Sequence, residues 1–263
     1  MSEHKKLLLV EDNKANTALM SKQLSMLGVD VTIAENGQIA LDILSREQFD
    51  LVVTDCNMPV MDGYEMARQI RQREQQQHAD RLGIIAITAD ALDGTADKCY
   101  EAGMDEYITK PVEVSTWKEI IASWLKVGVE ADSSVNDKAP ANSETGSSDD
   151  LIRKSALVDL LGIDEPEILA EYYTSFIESG DEIMQDLKKH YADQNWLEVG
   201  NNGHKLKSSA RAVGADALAD TCMALEHAGR QQQVDEVHKH MAVIEGQYKA
   251  VSDWIDEYSK DLV

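Results

Sequence analysis

DLVVTD, residues 50–55, decides the fold of the first half of the chain. Its apolar run from Leu51 to Val53 shows no polar alternation, and it ends on a carboxylate, Asp55. A strand that is apolar on both faces must be covered on both, as strands inside a parallel sheet are. LLLV from Leu7, VDVTIA from Val29, IIAIT from Ile84 and EYIT from Glu106 repeat the β-rich pattern. Helix-sized stretches lie between them, with apolar residues at helical spacing such as Leu41 with Leu44 and Met66 with Ile70. This alternation predicts an α/β domain, a doubly wound five-stranded parallel sheet with helices on both faces. Ligands of such folds sit at the carboxyl ends of the strands.

That edge is where the acids are. Glu11 and Asp12 directly follow the first strand and Asp55 closes the third, so three carboxylates converge in one crevice. Like charges at close quarters repel, and the site demands a cation. Oxygen ligands in an open crevice suit Mg²⁺, which keeps several waters and binds readily together with phosphate oxygens. Thr88 ends the fourth strand and Lys110 follows the fifth on the same rim. A hydroxyl, an ammonium and a divalent cation around one carboxylate are what a phosphoryl group in transfer requires.

VEDN (Val10 to Asn13), VTDCNMPVMDG (Val53 to Gly63), ITAD (Ile87 to Asp90) and YITKP (Tyr107 to Pro111) carry a resemblance. Over about residues 5–126 the chain resembles the response-regulator receiver domain, whose fold is flavodoxin-like. The resemblance implies that Asp55 is the phosphoryl acceptor and that Glu11, Asp12 and the carbonyl of Asn57 help hold Mg²⁺. It implies that Thr88 and Lys110 contact the phosphoryl oxygens, that Tyr107 is the aromatic whose rotamer follows Thr88, and that the Lys110–Pro111 bond is cis. A carboxylate is a weak nucleophile, so metal and lysine must offset phosphate charge before an acyl phosphate can form.

The first domain is expected over residues 1–127. Residues 128–150, GVEADSSVNDKAPANSETGSSDD from Gly128, have almost no large apolar side chains and read as a flexible acidic tether. A coil of that length spans roughly 25 Å, enough to permit docking of what it joins.

From 151 to 263 only helix signatures follow. Asp164 with Pro166 and Glu167 is read as an N-cap and first turn, and further helices are expected over 194–213, 215–229 and 232–259, with breaks at Gly214 and Gly229. An all-α four-helix bundle with a short leading helix satisfies this pattern. In the second of these helices Val199, Leu206, Ala210 and Val213 share one face, which is the buried one, and His204 points roughly 140° away. On its side lie Gly200, Ser208, Lys207 and Arg211. This arrangement predicts an exposed imidazole between small residues, neutral and nucleophilic at pH 7, with two cations to balance an added phosphoryl charge. HKLKSSARAVGA, from His204 to Ala215, resembles the histidine-containing phosphotransfer domain. That family usually has glycine where Ser208 stands.

The formal net charge is -23, and each of the three segments is acidic, which argues against a nucleic-acid partner. No apolar run is long enough for a membrane span, and the widely spaced Cys56, Cys99 and Cys222 fit a reducing cytoplasm. No glycine-rich ATP-binding segment appears in either half. The combined reading is a phosphoryl carrier with Mg²⁺-dependent self-phosphorylation at Asp55. An upstream sensor histidine kinase supplies the group, and a downstream response regulator receives it from His204. The alternatives are a catalytically silent adaptor and an aspartyl-phosphate phosphatase. The phosphatase needs a second acid two residues after the nucleophile, where this chain has Asn57.

Overall fold

A computed structural model describes residues 5–89, 95–125 and 151–260; the tether expected over 128–150 lies outside the described residues. The N-terminal domain runs β1 (Lys5–Val10), α1 (Lys14–Met26), β2 (Val29–Ala34), α2 (Gly37–Leu44), β3 (Leu51–Asp55), α3 (Gly63–Gln77), β4 (Gly83–Thr88), α4 (Thr95–Glu101), β5 (Glu106–Thr109) and α5 (Val114–Ile120). The strands pair in the order β2-β1-β3-β4-β5, all parallel. Side chains alternate across the sheet as the pleat requires. Leu8, Val10, Val52 and Ile84 pack with Leu41, Met66 and Ile70 on one face, while Leu7, Leu9, Val53 and Ile85 pack with Met20, Leu24 and Trp117 on the other. Burial on both faces explains why DLVVTD shows no alternation. Each large apolar side chain taken fully out of water contributes roughly 1.5–3 kcal/mol before the cost of ordering it.

The C-terminal domain is a short helix, α6 (Ser155–Leu161), followed by a bundle of α7 (Pro166–Ala192), α8 (Trp196–Ala212), α9 (Asp216–Arg230) and α10 (Val234–Lys260). Four helices after a short leader match the sequence expectation, with two local differences: Gly229, expected as a break, lies inside α9, which ends one residue later. The N-cap of α7 is Glu165 rather than Asp164, and no side chain caps it; Pro166 at the first turn needs no donor partner there. Helices α8 and α9 approach closely through glycine. A Cβ on Gly229 would lie 2.5 Å from Trp196 O and 2.6 Å from Gly200 N.

The domains dock through α1. Leu19 of α1 lies in the same buried cluster as Leu157, Phe176 and Ala212 of the bundle. Gln23, fully buried, donates from Nε2 to Val112 O at 2.9 Å and Leu160 O at 2.8 Å and accepts from Trp117 Nε1 at 2.9 Å. Its one amide therefore ties α1 and α5 of the sheet domain to α6 of the bundle. At the rim, Lys14 Nζ pairs with Glu182 at 2.8 Å.

Candidate functional site

Register fixes the acidic notch. Val10 pairs with Thr54 and Asp55 with Ile87, so Glu11, Asp12 and Asp55 emerge at one sheet edge with Thr88 beside them. Carboxylate oxygens of the three acids lie within 4.8 Å of one another. The helix after β3 must start against the Asp55 backbone, and Gly63 permits it because any Cβ there would collide with Asp55 O. Asp62 caps that helix, accepting from Glu65 N at 2.7 Å.

Lys110 Nζ donates to Glu11 Oε2 at 2.6 Å and also to Asp55 Oδ2, beside a Lys110–Pro111 peptide bond that is cis. Burial works against its charge, but Asp55 and Glu11 together hold its pKa well above the ordinary lysine value. Burial pushes the Glu11 carboxyl up to about 7; Lys110 pulls against this and the Asp55 charge adds to it. Asn57 N donates to Asp55 Oδ1 at 3.0 Å, leaving the Asp55 carboxylate bonded at both oxygens. Thr88 is buried, and Tyr107 is half-buried with its ring edge-on to Tyr100 at 6.3 Å between centroids.

His204 is where the sequence expectation needs correction. Val199, Leu206, Ala210 and Val213 form the buried face as expected, but the imidazole on the far side is only 4% exposed. Periodicity detects one covering layer; α8 has more than one, with α7 and α9 against it and the N-terminal domain docked over its remaining side. Lys207, expected as a free counter-ion, is 1% exposed and its Nζ pairs with Glu226 Oε2 at 2.7 Å. Arg211 Nη2 rests 3.6 Å from Met223 Sδ, on the rim of the crevice that Lys110 and Lys207 also line. Gly200 serves packing rather than access, since a Cβ on it would lie 3.0 Å from Glu226 O and Arg230 N. Ser208 is buried, and its hydroxyl donates to His204 O at 3.4 Å.

Glu226 is the functional residue that sequence reasoning missed. Its Oε1 accepts from His204 Nδ1 at 2.8 Å and pairs with Arg230 Nη1 at 2.6 Å. Burial alone would raise its pKa, but His204 and Lys207 overcome this and hold the carboxyl at about 2. An ionised acceptor fixes the proton on Nδ1 and leaves the lone pair on Nε2. That nitrogen is buried with no hydrogen-bond partner among the described residues. A signal existed in the sequence: Glu226 falls on the stripe Ala219, Cys222, Gly229 of α9, where a charge is out of place unless paired.

Two cavities between the domains adjoin His204 and its network. One, of about 280 Å³, is lined by Asn57, Pro59 and Asp62 from the notch side and by His204, Lys205 and Arg230 from the bundle. The other runs past Lys110, Lys207, Arg211 and Glu226. Two contacts seat α8 against the notch: Asn13 Nδ2 donates to Lys205 O at 3.0 Å, and Lys205 Nζ lies 2.7 Å from Asp12 Oδ2. Of the sequence-predicted residues, Asn57 and His204 thus line the first interdomain cavity and Lys110, Lys207 and Arg211 the second. No described helix is long and apolar enough to cross a membrane.

Comparison with known proteins agrees with both halves. The sequence matches the response regulator receiver domain family over residues 7–122 and the Hpt domain family over residues 171–254. It is 30% identical over 264 residues to the virulence sensor protein BvgS of Bordetella bronchiseptica, covering 96% of this chain and 21% of that protein. It is 27% identical over 227 residues to the sensor histidine kinase GacS of Pseudomonas protegens, covering 86% of this chain and 24% of that protein. The chain therefore spans about a quarter or less of the length of these curated relatives. The crystal structure of the receiver domain of sensor histidine kinase PA1611 from Pseudomonas aeruginosa PAO1, with a magnesium ion coordinated in its active site cleft, is 36% identical over 47% of this chain and 99% of its own, with a TM-score of 0.43. On both folds and both family matches, the chain belongs to the two-component phosphorelay proteins, as a response regulator receiver domain followed by an Hpt domain.

Proposed function

We propose that this chain is an intermediate of a phosphorelay. Asp55 accepts a phosphoryl group from the phosphohistidine of an upstream sensor kinase, His204 takes it from Asp55, and the receiver of a downstream response regulator takes it from His204. The supporting observation is that Asn57, two residues from Asp55, and His204 line the same interdomain cavity, with His204 Nε2 unpartnered among the described residues. The proposal carries with it a cytoplasmic setting, in keeping with three free buried thiols.

The donor set fits Mg²⁺: three clustered carboxylates, with Asp12 Oδ2 lacking a hydrogen-bond partner among the described residues. Glu11, Asp12, Asp55 and the Asn57 carbonyl would hold the ion, which when bound neutralises phosphoryl charge as a Lewis acid. The residues of the chain do the rest. Lys110 holds the attacking carboxylate in place and balances charge on the incoming group, with Thr88 on the same rim. The new bond joins an Asp55 oxygen to phosphorus as the bond from phosphorus to the donor nitrogen breaks.

In the second step the Nε2 lone pair of His204 attacks phosphorus and the Asp55 O–P bond breaks, returning the electron pair to the carboxylate. The ring becomes cationic while its proton stays on Nδ1, where Glu226 stabilises it. A neutral partner at Nδ1 would not hold this tautomer as firmly. Glu226 thereby positions the ring and favours its charged, phosphorylated form.

The test follows label from a small phosphodonor, supplied with Mg²⁺, in wild type, Asp55→Asn and His204→Gln. Acyl phosphates are lost in alkali and phosphohistidine in acid. Wild type is expected to carry both pools and His204→Gln only the alkali-labile one, while Asp55→Asn carries neither. Equal labelling of all three proteins would refute the assignment.

A further inference from the structure

Lys205 lies next to His204 in sequence yet turns its side chain into the receiver notch, with Nζ 2.7 Å from Asp12 Oδ2. Asp12 is deeply enclosed, its side chain 7% exposed, while the Lys205 side chain keeps 30% of its surface in water. The contact is an ion pair without an aligned hydrogen bond, because Asp12 Oδ2 has no hydrogen-bond partner among the described residues. The backbone of the same residue is held separately, Lys205 O accepting from Asn13 Nδ2 at 3.0 Å. Its side chain can therefore leave Asp12 without releasing the helix.

Charge balance shows what the ammonium replaces. Glu11, Asp12 and Asp55 form the acidic cluster, with Lys110 on Glu11 and Asp55 and Lys205 on Asp12. With both lysines seated, ionised acids would leave the notch one charge short of neutrality. With Lys205 withdrawn the deficit is two, the charge of one divalent cation. An ammonium and a divalent ion on one buried carboxylate repel each other strongly in so dry a site.

We propose that Lys205 is the bundle's own counter-charge for the notch, seated on Asp12 while no divalent cation is bound and displaced when one enters. This rests on the reading of the notch as a divalent-cation site. Lys205 compensates the notch before a metal arrives, while the backbone bond from Asn13 keeps α8, and with it His204, in place. Metal entry and the seating of Lys205 then oppose each other, with the same coupling in both directions.

Calorimetric titration of the full chain with MgCl₂, comparing wild type with Lys205→Met, Lys205→Arg and Asp12→Asn, tests this. Lys205→Met keeps the length and removes the charge, and is expected to bind Mg²⁺ about ten-fold more tightly, within the range usual for coupled sites. Lys205→Arg is expected to bind as wild type does, and Asp12→Asn to lose most binding. A second readout is acylation of Lys205 Nζ followed by mass spectrometry, which saturating Mg²⁺ is expected to accelerate in wild type while leaving Lys249 of α10 unchanged. Equal or weaker binding by Lys205→Met, or Lys205 acylation insensitive to Mg²⁺, would overturn the proposal. Absence of binding in every protein would overturn the reading of the notch itself, and this inference with it.

Discussion

Val60 sits three residues after Asn57 with φ at 69°, a left-handed conformation that is costly for a β-branched side chain, and it is 85% exposed. Such strain is worth on the order of 1–3 kcal/mol, against roughly 0.5–1 kcal/mol for the extra chain entropy of glycine. Val60→Gly is therefore expected to raise unfolding stability by about 1 kcal/mol in denaturant titration, since no buried contact is lost; a less stable variant would show that the strain is not there. Glu226 makes a pH prediction at the same scale. Its carboxyl is held at about 2 in the folded protein against 4.5 ordinarily, so the unfolded chain binds its proton first as pH falls. The stabilisation, roughly 3 kcal/mol at most, is complete above pH 4.5 and lost as pH falls toward 2. Glu226→Gln should flatten the stability profile in that window, and an unchanged slope would mean the pairing is not what depresses the pKa. The notch residues were legible because each closes a strand, a position that pattern and spacing determine. Glu226 was not, because its partners His204 and Lys207 come from another helix and spacing within α9 does not reveal them.

At the scale of elements, all five strands and the four long helices could be read from apolar spacing, whereas the order β2-β1-β3-β4-β5 comes from the structure, since parallel alternation is compatible with more than one doubly wound order. What spacing could not show is the second covering of α1 and α8. Helix α1 buries Leu24 toward the sheet and Leu19 toward the bundle, with Gln23 sealed between. A polar residue in that position reads as solvent-facing until its partners are known. Gln23→Ala would leave the Val112 and Leu160 carbonyls and the Trp117 N–H buried without their partner. A loss of roughly 2 kcal/mol or more in unfolding stability is expected. Equal stability would mean that water takes over those bonds and that the docked arrangement is looser than described.

For the whole molecule, the sequence announces two domains and their order but not how they meet. Asn13 and Lys205 are 192 residues apart, and contacts at such separation leave no periodic trace. Docking changes the chemistry expected of His204. In place of an open ring awaiting any partner, the structure holds an imidazole oriented by Glu226, lining a cavity with Asn57 of the receiver notch of the same chain. Transfer between the two sites should then be intramolecular. The most direct test is the rate at which acid-labile phosphohistidine appears after Asp55 is labelled, measured across a hundred-fold range of protein concentration. One rate constant, independent of concentration, is expected, and only slow, concentration-dependent transfer when Asp55→Asn is mixed with labelled His204→Gln. A wild-type rate that rises in proportion to concentration would contradict it.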